Sequence, residues 1–288
     1  MSIGCWWVYT PCWHRSYYNM SVYQLKQIPS DAQIQKYLRR IIFGKNIFCP
    51  KCTRRYSVYA CQRRYRCRYC NMRFSLLSNT WLSNCKLSYR NLWLILWCWT
   101  KQIPVKQTQA LTGLSEKGVR HYFETFRNHL PEDQELLEHM VQLDEAYFGG
   151  RRGYALMMGK QKGTRKLAYH IFPHVMPTKY DATEFLTMYV APYSKLATDG
   201  GSIYTDIQKE WPIEHMIDIH KKFEFTNTSE IEGMFGVLRT FIRRMYHHVT
   251  YDKFPSVMCE FYYRFSRPEM FESPYEYLLN CLHLVPTR

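Results

Sequence analysis

The sequence lacks any apolar run long enough to cross a membrane. The longest, LWLILWCW at residues 92–99, has eight residues, whereas a transmembrane helix needs about 20. The first 20 residues carry no early positive charge, and Thr10 and Pro11 interrupt their apolar character, so they make a poor signal peptide. We therefore expect no membrane span and a protein that works inside the cell, in the nucleus of a eukaryotic host or in the cytoplasm or nucleoid of a bacterial one. Residues 1–28 form an extension to which the sequence assigns no role.

Acidic side chains are scarce. The 288 residues include 24 Asp and Glu but 39 Lys and Arg, which gives a formal charge of +15. This surplus indicates a polyanionic partner, with nucleic acid as the first candidate and an anionic membrane surface as the second. A basic enzyme with no such partner is the plainer alternative. Apolar residues make up 46% of the chain, which excludes wholesale disorder, and internal repeats and low-complexity tracts are absent from the sequence.

Cysteine is not scarce, but its arrangement argues against a secreted disulfide framework. The chain has 11 cysteines, an odd number, and four of them follow the pattern C-x2-C-x14-C-x2-C. This spacing is close to that of a zinc ribbon, with Cys49, Cys52, Cys67 and Cys70 as ligands of one structural Zn²⁺. A redox dithiol would need only one of the two pairs, and two disulfides would need an oxidising compartment. Cys61 has no partner at ligand spacing, so we expect it to be a free thiol.

Basic residues surround these cysteines. Residues 51–73 contain eight Lys or Arg and no Asp or Glu. Four thiolates on one Zn²⁺ leave a net charge of −2, so the cations exceed what the metal site needs. We expect the surplus to contact nucleic-acid phosphates. The predicted DNA-binding arginines of this segment are Arg54, Arg55, Arg63, Arg64, Arg66 and Arg68.

Helical patterns flank the cysteines on both sides. Residues 29–43 repeat apolar side chains at helical spacing, so we expect a helix and the zinc ribbon to form one unit at 29–78. Residues 86–130 predict three helices, of which Pro104 opens the second and Ser115 caps the third after a turn at Gly113. Two short helices joined by a glycine turn are typical of a helix-turn-helix, which we assign to residues 79–130. Its predicted DNA contacts are Lys117 and Arg120.

The second half of the chain predicts an α/β layered domain. The acidic stretch 131–139 marks the predicted boundary, so the catalytic domain would span 131–288. Strands are predicted at 140–148, at 166–172 as the next strand, at 194–199 and at 214–220. Helices are predicted at 181–190 and from about Ser229 onward. Mixed strands followed by helices favour a sheet covered by helices.

Three acidic residues of this half stand in contexts that favour metal binding. Asp144 lies within an apolar strand, Asp199 ends a strand in front of two glycines, and Glu232 borders the apolar stripe of the long helix. Carboxylates without other ligand types suit Mg²⁺ or Mn²⁺. Two such ions can promote attack on a phosphodiester.

Each acid also has a structural interpretation. Ser229 and Glu232 match a capping box, in which Glu232 would only bond back to the helix start. Asp199 and its glycines fit an ordinary turn. Glu145 should point to the opposite face of the strand from Asp144, as a supporting or salt-bridge residue. Glu230 competes with Glu232 for the third position, although we expect it on another helix face, toward solvent.

The order of these motifs resembles a known family. FCPKC, YRCRYC, VQLDEAYFGG, LATDGGSIY and TNTSEIEGMFGVLR resemble the Merlin-type transposases and their bacterial insertion-sequence relatives, over roughly residues 25–283. The resemblance implies an RNase H-like mixed sheet flanked by helices, of the DDE class, behind the small zinc ribbon and the helix-turn-helix. It implies that Asp144, Asp199 and Glu232 are the catalytic acids. It also places three basic residues of the long helix beside the DNA, namely Arg239, Arg243 and Arg244. Some relatives carry Asn at the third acidic position, and Asn227 lies nearby.

The predicted function is therefore cut-and-paste DNA transposition. The protein would bind double-stranded DNA at terminal inverted repeats and at a target, as a homodimer or higher oligomer. It would use two catalytic Mg²⁺ or Mn²⁺ ions and one structural Zn²⁺. Two alternatives stay open: a non-enzymatic zinc-ribbon DNA-binding protein, such as a domesticated transposase or regulator, and a nuclease or resolvase on the same fold.

Overall fold

The computed structural model describes residues 28–62, 64–148, 153–217 and 228–285. Within these ranges the α-helices are α1 Asp31–Phe43, α2 Tyr89–Thr100, α3 Val105–Thr112, α4 Glu116–Arg127, α5 Lys179–Tyr189, α6 Ser229–Tyr246, α7 Phe254–Ser266 and α8 Pro274–Cys281. The strands are β1 Val58–Cys61, β2 Arg64–Cys67, β3 Arg73–Phe74, β4 Met140–Phe148, β5 Tyr154–Gln161, β6 Leu167–Phe172, β7 Lys195–Thr198 and β8 Glu214–Ile217.

Helix α1 and the small sheet behind it form the amino-terminal unit. Ser30 caps α1: its backbone N–H donates to Gln33 Oε1 at 2.9 Å, and its hydroxyl accepts from the Gln33 backbone N–H at 3.4 Å. Such reciprocal bonds satisfy two of the N–H groups that a helix start leaves unpaired. Strands β1, β2 and β3 pair in that order, antiparallel throughout. The predicted helix at 29–43 is confirmed, and β1 and β2 form a hairpin between the two C-x-x-C loops.

Helices α3 and α4 begin and end at the residues that the sequence predicts. Pro104 directly precedes α3, and Gly113 ends it in the left-handed conformation, with φ of +69°. Glycine adopts this conformation without the strain that a Cβ would bring. The Ser115 hydroxyl then accepts from the Gly118 backbone N–H at 3.1 Å and caps α4. All three predicted helices are confirmed.

The apolar run at 92–99 lies in α2 and is buried in protein. Leu92, Ile95, Leu96 and Trp99 are at most 2% exposed. The prediction of a buried helix is therefore confirmed. Among the described helices, none combines the length and the apolarity that a membrane span requires.

A mixed five-stranded sheet organises the second half of the chain. Its order is β6-β5-β4-β7-β8. Strands β4, β5 and β6 pair antiparallel as a meander, whereas β7 pairs parallel with both β4 and β8. This mixed sheet, flanked by helices and preceded by a zinc ribbon, is the α/β, RNase H-like architecture that the sequence predicts.

The predicted strand list omits one member of this sheet. Residues 166–172 were expected to be the next strand after β4, but β5 lies between the two and pairs with both. All eight residues of β5 are buried, because helices cover both faces of the sheet here. A strand buried on both faces has no polar and apolar alternation to reveal it. Of the strand predicted at 214–220, residues 214–217 form β8, and 218–220 lie outside the described residues.

The two faces of the sheet belong to different hydrophobic clusters. Ala146, Leu156 and Met158 point to the face covered by α6 and α7, and they share one cluster with α1 to α4 and α8. Leu143 and Met157 point to the other face, which α5 and the segment around Tyr204 cover. Alternation along β4 therefore decides which layer each of its polar residues meets.

Candidate metal centre and active site

The four predicted zinc ligands converge. Cys49 Sγ lies 3.4 Å from Cys70 Sγ, and Cys52 Sγ lies 3.6 Å from Cys67 Sγ. All four sulfur atoms lie within 4.8 Å of one another. Four Zn–S bonds of about 2.3 Å in a tetrahedron would separate the sulfurs by about 3.8 Å, so the cluster has the size of a zinc site. Cys61 is not a member of it.

The two C-x-x-C loops have the same backbone geometry. The Cys49 N–H donates to Arg54 O at 3.1 Å, and the Cys67 N–H donates to Met72 O at 3.0 Å. The residue after the second cysteine is left-handed in both loops, with φ of 57° at Thr53 and 56° at Asn71. Two matching loops each present a pair of sulfurs from opposite sides, as a four-thiolate site requires.

The local environment shifts the pKa values of two of the four thiols in opposite directions. Burial raises the pKa of Cys49 to about 12. Burial also opposes ionisation of Cys67, but bonds from the Ser57 hydroxyl and from the Cys70 and Tyr69 backbone N–H groups lower its pKa to about 6. Such bonds favour a thiolate, which is the form that binds metal.

The arginines of the zinc ribbon lie mostly on its surface. Arg54, Arg55, Arg64 and Arg68 are exposed, and Arg66 is half-buried, while Arg63 lies outside the described residues. The Arg54 guanidinium lies over the Tyr69 ring at 3.4 Å, and the Arg68 guanidinium lies over the Tyr59 ring at 5.3 Å. These cation–π contacts hold two of the cations in fixed positions at the surface.

The other predicted DNA contacts lie on two helices. Lys117 is exposed on α4, whereas Arg120 forms an ion pair with Glu116 at 2.8 Å. Arg239 and Arg243 are exposed on α6, and Arg244 is half-buried. All five stay predictions as DNA-binding residues.

The first two predicted acids lie on neighbouring parallel strands. The register of β4 and β7 pairs Met140 with Lys195 and Gln142 with Ala197. Two residues further on, the same register brings Asp144 beside Asp199, just past the end of β7. The Asp199 carboxylate accepts from the Gly201 N–H at 2.9 Å. Gly200 allows this turn because its φ is +78° and a Cβ there would meet Ile217 Cγ2 at 2.7 Å.

A side chain of β4 fixes the start of the helix that carries Glu232. Gln142 Oε1, on the same strand face as Asp144, accepts from the Ile231 N–H at 3.0 Å. Glu232 accepts from the Thr228 hydroxyl at 3.3 Å. The capping-box interpretation is wrong, because Thr228 rather than Ser229 is the N-cap, and the first-turn Ile231 N–H bonds to Gln142 instead. Glu232 itself is exposed to solvent. Asn227 lies outside the described residues.

Glu230 is only partly exposed, with 35% of its side chain open to solvent, because it is also tied to the sheet, which the sequence does not predict. Its carboxylate forms an ion pair with Lys160 of β5 and accepts from the Gly163 N–H at 3.2 Å. Burial acts to raise the pKa of Glu230, but the bond and charge of Lys160 lower it overall. A carboxylate held in this way is a poor candidate for the third ligand.

The carboxylates repel one another around Asp144. Burial, together with the charges of Glu145, Asp199 and Glu232, raises the pKa of Asp144 to about 7. Among the described residues, none of the three predicted acids forms an ion pair with Lys, Arg or His. Their oxygens are spread more widely than the four sulfurs, which are the one group of described metal-ligand side chains within 4.8 Å of one another.

A buried tyrosine joins the acidic cluster, and sequence reasoning missed it. The hydroxyl of Tyr204, which is fully buried, donates to Glu145 Oε2 at 2.5 Å. Burial raises the pKa of Glu145, and the nearby charge of Asp199 adds to the effect. Glu145 thus faces the opposite layer of the sheet from Gln142, as the sequence predicts, and Tyr204 holds its carboxylate there. The sequence signal was the short spacing of Tyr204 from Asp199.

Comparison with known families identifies both parts of the chain. Residues 29–73 match the transposase zinc-ribbon domain, and residues 135–266 match the ISXO2-like transposase domain. Together these matches cover more than half of the chain. The chain belongs to the IS1595 family of transposases. The predicted resemblance to insertion-sequence transposases is therefore confirmed.

Other comparisons add little to this assignment of the transposase. No curated protein sequence matches it significantly. A cryoEM structure of the simian T-cell lymphotropic virus intasome in complex with PP2A regulatory subunit B56 gamma is similar at 12% identity, over 55% of this chain and 67% of that chain. Its TM-score of 0.30 is too low to bear on the fold.

The transposase thus carries two donor sets of different hardness. Four soft thiolates in a cluster of tetrahedral size fit a structural Zn²⁺. The carboxylates around Asp144 are an oxygen-only donor set, the kind that suits hard divalent ions such as Mg²⁺ or Mn²⁺.

Proposed function

We propose that this transposase cleaves and joins double-stranded DNA at the carboxylate cluster, with Asp144, Asp199 and Glu232 as its catalytic acids. The observation that carries the proposal is the environment of Asp144. Its half-buried carboxylate meets three further acidic charges and, among the residues that the structure describes, no ion-pair partner, in a chain with a formal charge of +15. The Glu145 backbone N–H donates to this carboxylate at 2.8 Å but does not neutralise its charge, so the arrangement supports a role in binding a cation.

The chemistry divides between the ions and the chain. Bound Mg²⁺ or Mn²⁺ supplies activation of an attacking water or DNA 3′ hydroxyl and stabilises the leaving oxygen. Asp144, Asp199 and Glu232 supply the oxygen ligands. The Tyr204 bond orients Glu145 behind them, and the Gln142 bond to Ile231 holds the start of α6 against β4. No protein nucleophile is required.

The basic modules would position the DNA. The exposed arginines of the zinc ribbon, Lys117 and Arg120 of α4, and Arg239, Arg243 and Arg244 of α6 are the proposed contacts to phosphates and to the terminal repeats. We also propose a homodimer or higher oligomer on DNA, because the two ends of an element must be brought together. The mass of the protein–DNA complex in solution tests this point.

The decisive experiment uses DNA from the ends of the element that encodes the chain. The protein is incubated with end-containing duplexes, a target plasmid and Mg²⁺, and the products are resolved on denaturing gels. We expect cleaved ends and strand-transfer products from the wild type and neither from Asp144→Asn, which retains DNA affinity. Binding without cleavage would favour a regulator, and cleavage of branched DNA without joining would favour a resolvase.

A further inference from the structure

A cavity lies between α4, the second helix of the predicted helix-turn-helix and called the reading helix below, and the carboxyl-terminal end of α6. Its volume is about 340 Å³. One stripe of α4 forms one wall, and the loop from α6 to α7 forms the other. Tyr246 lines it, together with the charged residues and histidines Arg120, Glu124, Arg127, His247, His248 and Lys253.

A buried cluster of charges lies directly behind this cavity. The Arg127 and Arg264 side chains are each only 5% exposed, and Glu260 is completely buried. Glu260 Oε1 accepts from Arg264 Nε at 2.7 Å, and its Oε2 accepts from the Tyr246 hydroxyl at 2.5 Å. Arg127 Nη1 lies 3.8 Å from Glu260 Oε2 and has no hydrogen-bond acceptor among the described residues.

This cluster carries a surplus positive charge. Two guanidinium groups, which stay protonated in proteins, share one carboxylate. The remaining ions at the cavity are already matched in pairs: Arg120 with Glu116 at 2.8 Å, and Lys253 with Glu124 at 3.0 Å. Arg127 donates from Nε to the Ser256 hydroxyl at 3.4 Å and lies over the Tyr246 ring, but its Nη1 lacks an acceptor among the described residues, so an anion beside the guanidinium would stabilise the folded protein.

The backbone at the mouth of the cavity is strained. His247 has φ of 59° and ψ of −49°, and the His248 N–H donates to Tyr246 O at 2.7 Å, which defines a γ-turn of the rare, strained type. Such strain persists where the surrounding structure enforces it, and it concentrates at binding sites. The turn ends α6 abruptly and leaves both histidines exposed at the cavity.

We propose that this cavity binds one phosphate group of the DNA backbone. Arg127 donates to it from within the cavity, and Lys253 and the two histidines approach it from the mouth. The site lies between α4, which carries Lys117 and Arg120, and α6, which carries Glu232, so one phosphate would join the reading helix to the helix of the third acid. This inference rests on the proposed DNA function, and free phosphate is the other source of the same ligand chemistry.

The test uses the zinc-loaded full chain and two probes. The first probe is inorganic phosphate, compared with chloride at equal ionic strength in thermal unfolding. We expect phosphate to raise the midpoint of the wild type but not that of Arg127→Met. The second probe is a duplex of about 30 base pairs, whose affinity is measured against salt concentration. We expect Arg127→Met and Lys253→Gln each to weaken binding several-fold for any sequence and to reduce the salt slope by about one.

Two comparisons separate a binding role from a structural one. Arg127→Met leaves Glu260 paired with Arg264 and Tyr246, so we expect no fall in its unfolding midpoint in phosphate-free buffer, whereas a purely structural Arg127 would lower it. If this variant fails to fold, Lys253→Gln still reports on the cavity. Lys179→Gln is its matched control. Lys179, on α5, forms an ion pair with Glu210 at 3.2 Å, away from the cavity, so this substitution should change neither readout.

The outcomes are distinct. Unchanged phosphate response and unchanged salt slope in both cavity variants would overturn the proposal. Loss of the phosphate response with an unchanged slope would assign the cavity to free phosphate and would overturn the DNA assignment. A wild type that binds no duplex would refute the proposed function, and the inorganic-phosphate response would then separately support or refute an anion site.

Discussion

The carboxylate of Glu230 forms an ion pair with Lys160, and this pair fastens the first turn of α6 to strand β5. The Lys160 side chain is 7% exposed and the Glu230 side chain 35% exposed. The pair stands next to the Gln142 bond to Ile231, so two neighbouring strands hold the turn that carries Glu232. Glu230 and Glu232 are thus assigned different tasks, and substitution can separate them.

We predict that Glu232→Gln lowers strand cleavage about 100-fold or more without changing the unfolding midpoint, because it removes a ligand charge and no packing. Glu230→Gln should instead lower the free energy of unfolding by about 1–3 kcal/mol, because Lys160 loses its counterion, with less than a tenfold effect on cleavage. Urea unfolding and a cleavage assay measure the two effects. Adding Lys160→Met to Glu230→Gln should recover stability. A stable Glu230→Gln protein without cleavage activity would contradict this assignment.

We predict that Asp144 destabilises the magnesium-free protein as pH rises. Its pKa is about 7 in the folded chain against about 3.9 unfolded, so the folded state holds an extra proton between these values. Stability relative to Asp144→Asn should therefore fall from about pH 4 to pH 7 and stay low above pH 7. At pH 8, Asp144→Asn should be more stable than the wild type by on the order of 2 kcal/mol.

Urea unfolding of zinc-loaded protein without added Mg²⁺ at pH 5, 6 and 8 checks this expectation. Mg²⁺ at pH 8 should raise the unfolding midpoint of the wild type but not that of Asp144→Asn. Asp181→Asn is a control of opposite sign. Burial of Asp181 is outweighed by bonds from Thr178 and His174, which lower its pKa, so its substitution should destabilise the protein at pH 8. A less stable Asp144→Asn protein at pH 8 would refute the interpretation.

We predict that Cys52→Ser lowers zinc content from one ion per chain and unfolds the ribbon. So small a sheet depends on metal binding, which contributes about 10–16 kcal/mol in comparable sites. Hydrogen exchange should rise across β1 to β3 and stay unchanged in β4 and β5, and DNA affinity should fall at least tenfold. Cys61→Ser is the matched control, since Cys61 lies in β1 outside the cluster. Loss of zinc from Cys61→Ser would contradict the ligand assignment.

We predict that Tyr204→Phe raises the Mg²⁺ concentration for half-maximal cleavage about tenfold, because a buried carboxylate beside the ligands loses its donor. DNA affinity should not change. Tyr147→Phe is the control, because Tyr147 is 54% exposed and its contact with Glu145 is long, at 3.5 Å. Equal effects of the two substitutions would argue against a positioning role for Tyr204.

The sequence was most informative where local chemistry decides the structure. Pro104, Gly113 and Ser115 punctuate the helices through their own backbone preferences, and each acts as predicted. The cysteine spacing predicts a cluster because each C-x-x-C loop is a local geometry. Asp144 and Asp199 stand out as polar residues in or at the end of apolar strands, and Glu232 as one that borders the apolar stripe of a helix; their catalytic role stays a prediction.

The rest depends on tertiary contacts that no local pattern encodes. Strand β5 is buried on both faces and has no alternation. The capping box at Ser229 fails because Gln142, 89 residues earlier, fixes the helix start. Glu230 is tied to the sheet because Lys160, 70 residues earlier in the chain, donates to its carboxylate. The contact of Tyr204 with Glu145 cannot be predicted until it is known which helices and loops cover each face of the sheet.

Phe123 of α4, Ile231 of α6 and Tyr277 of α8 pack in one hydrophobic cluster. The helices of the predicted helix-turn-helix, α3 and α4, are therefore not an independent folding unit. A chimera that exchanged these helices between two relatives would disrupt the hydrophobic core that also packs against α6. Changes of DNA preference are therefore compatible with this core only where they alter exposed side chains and leave the buried ones in place.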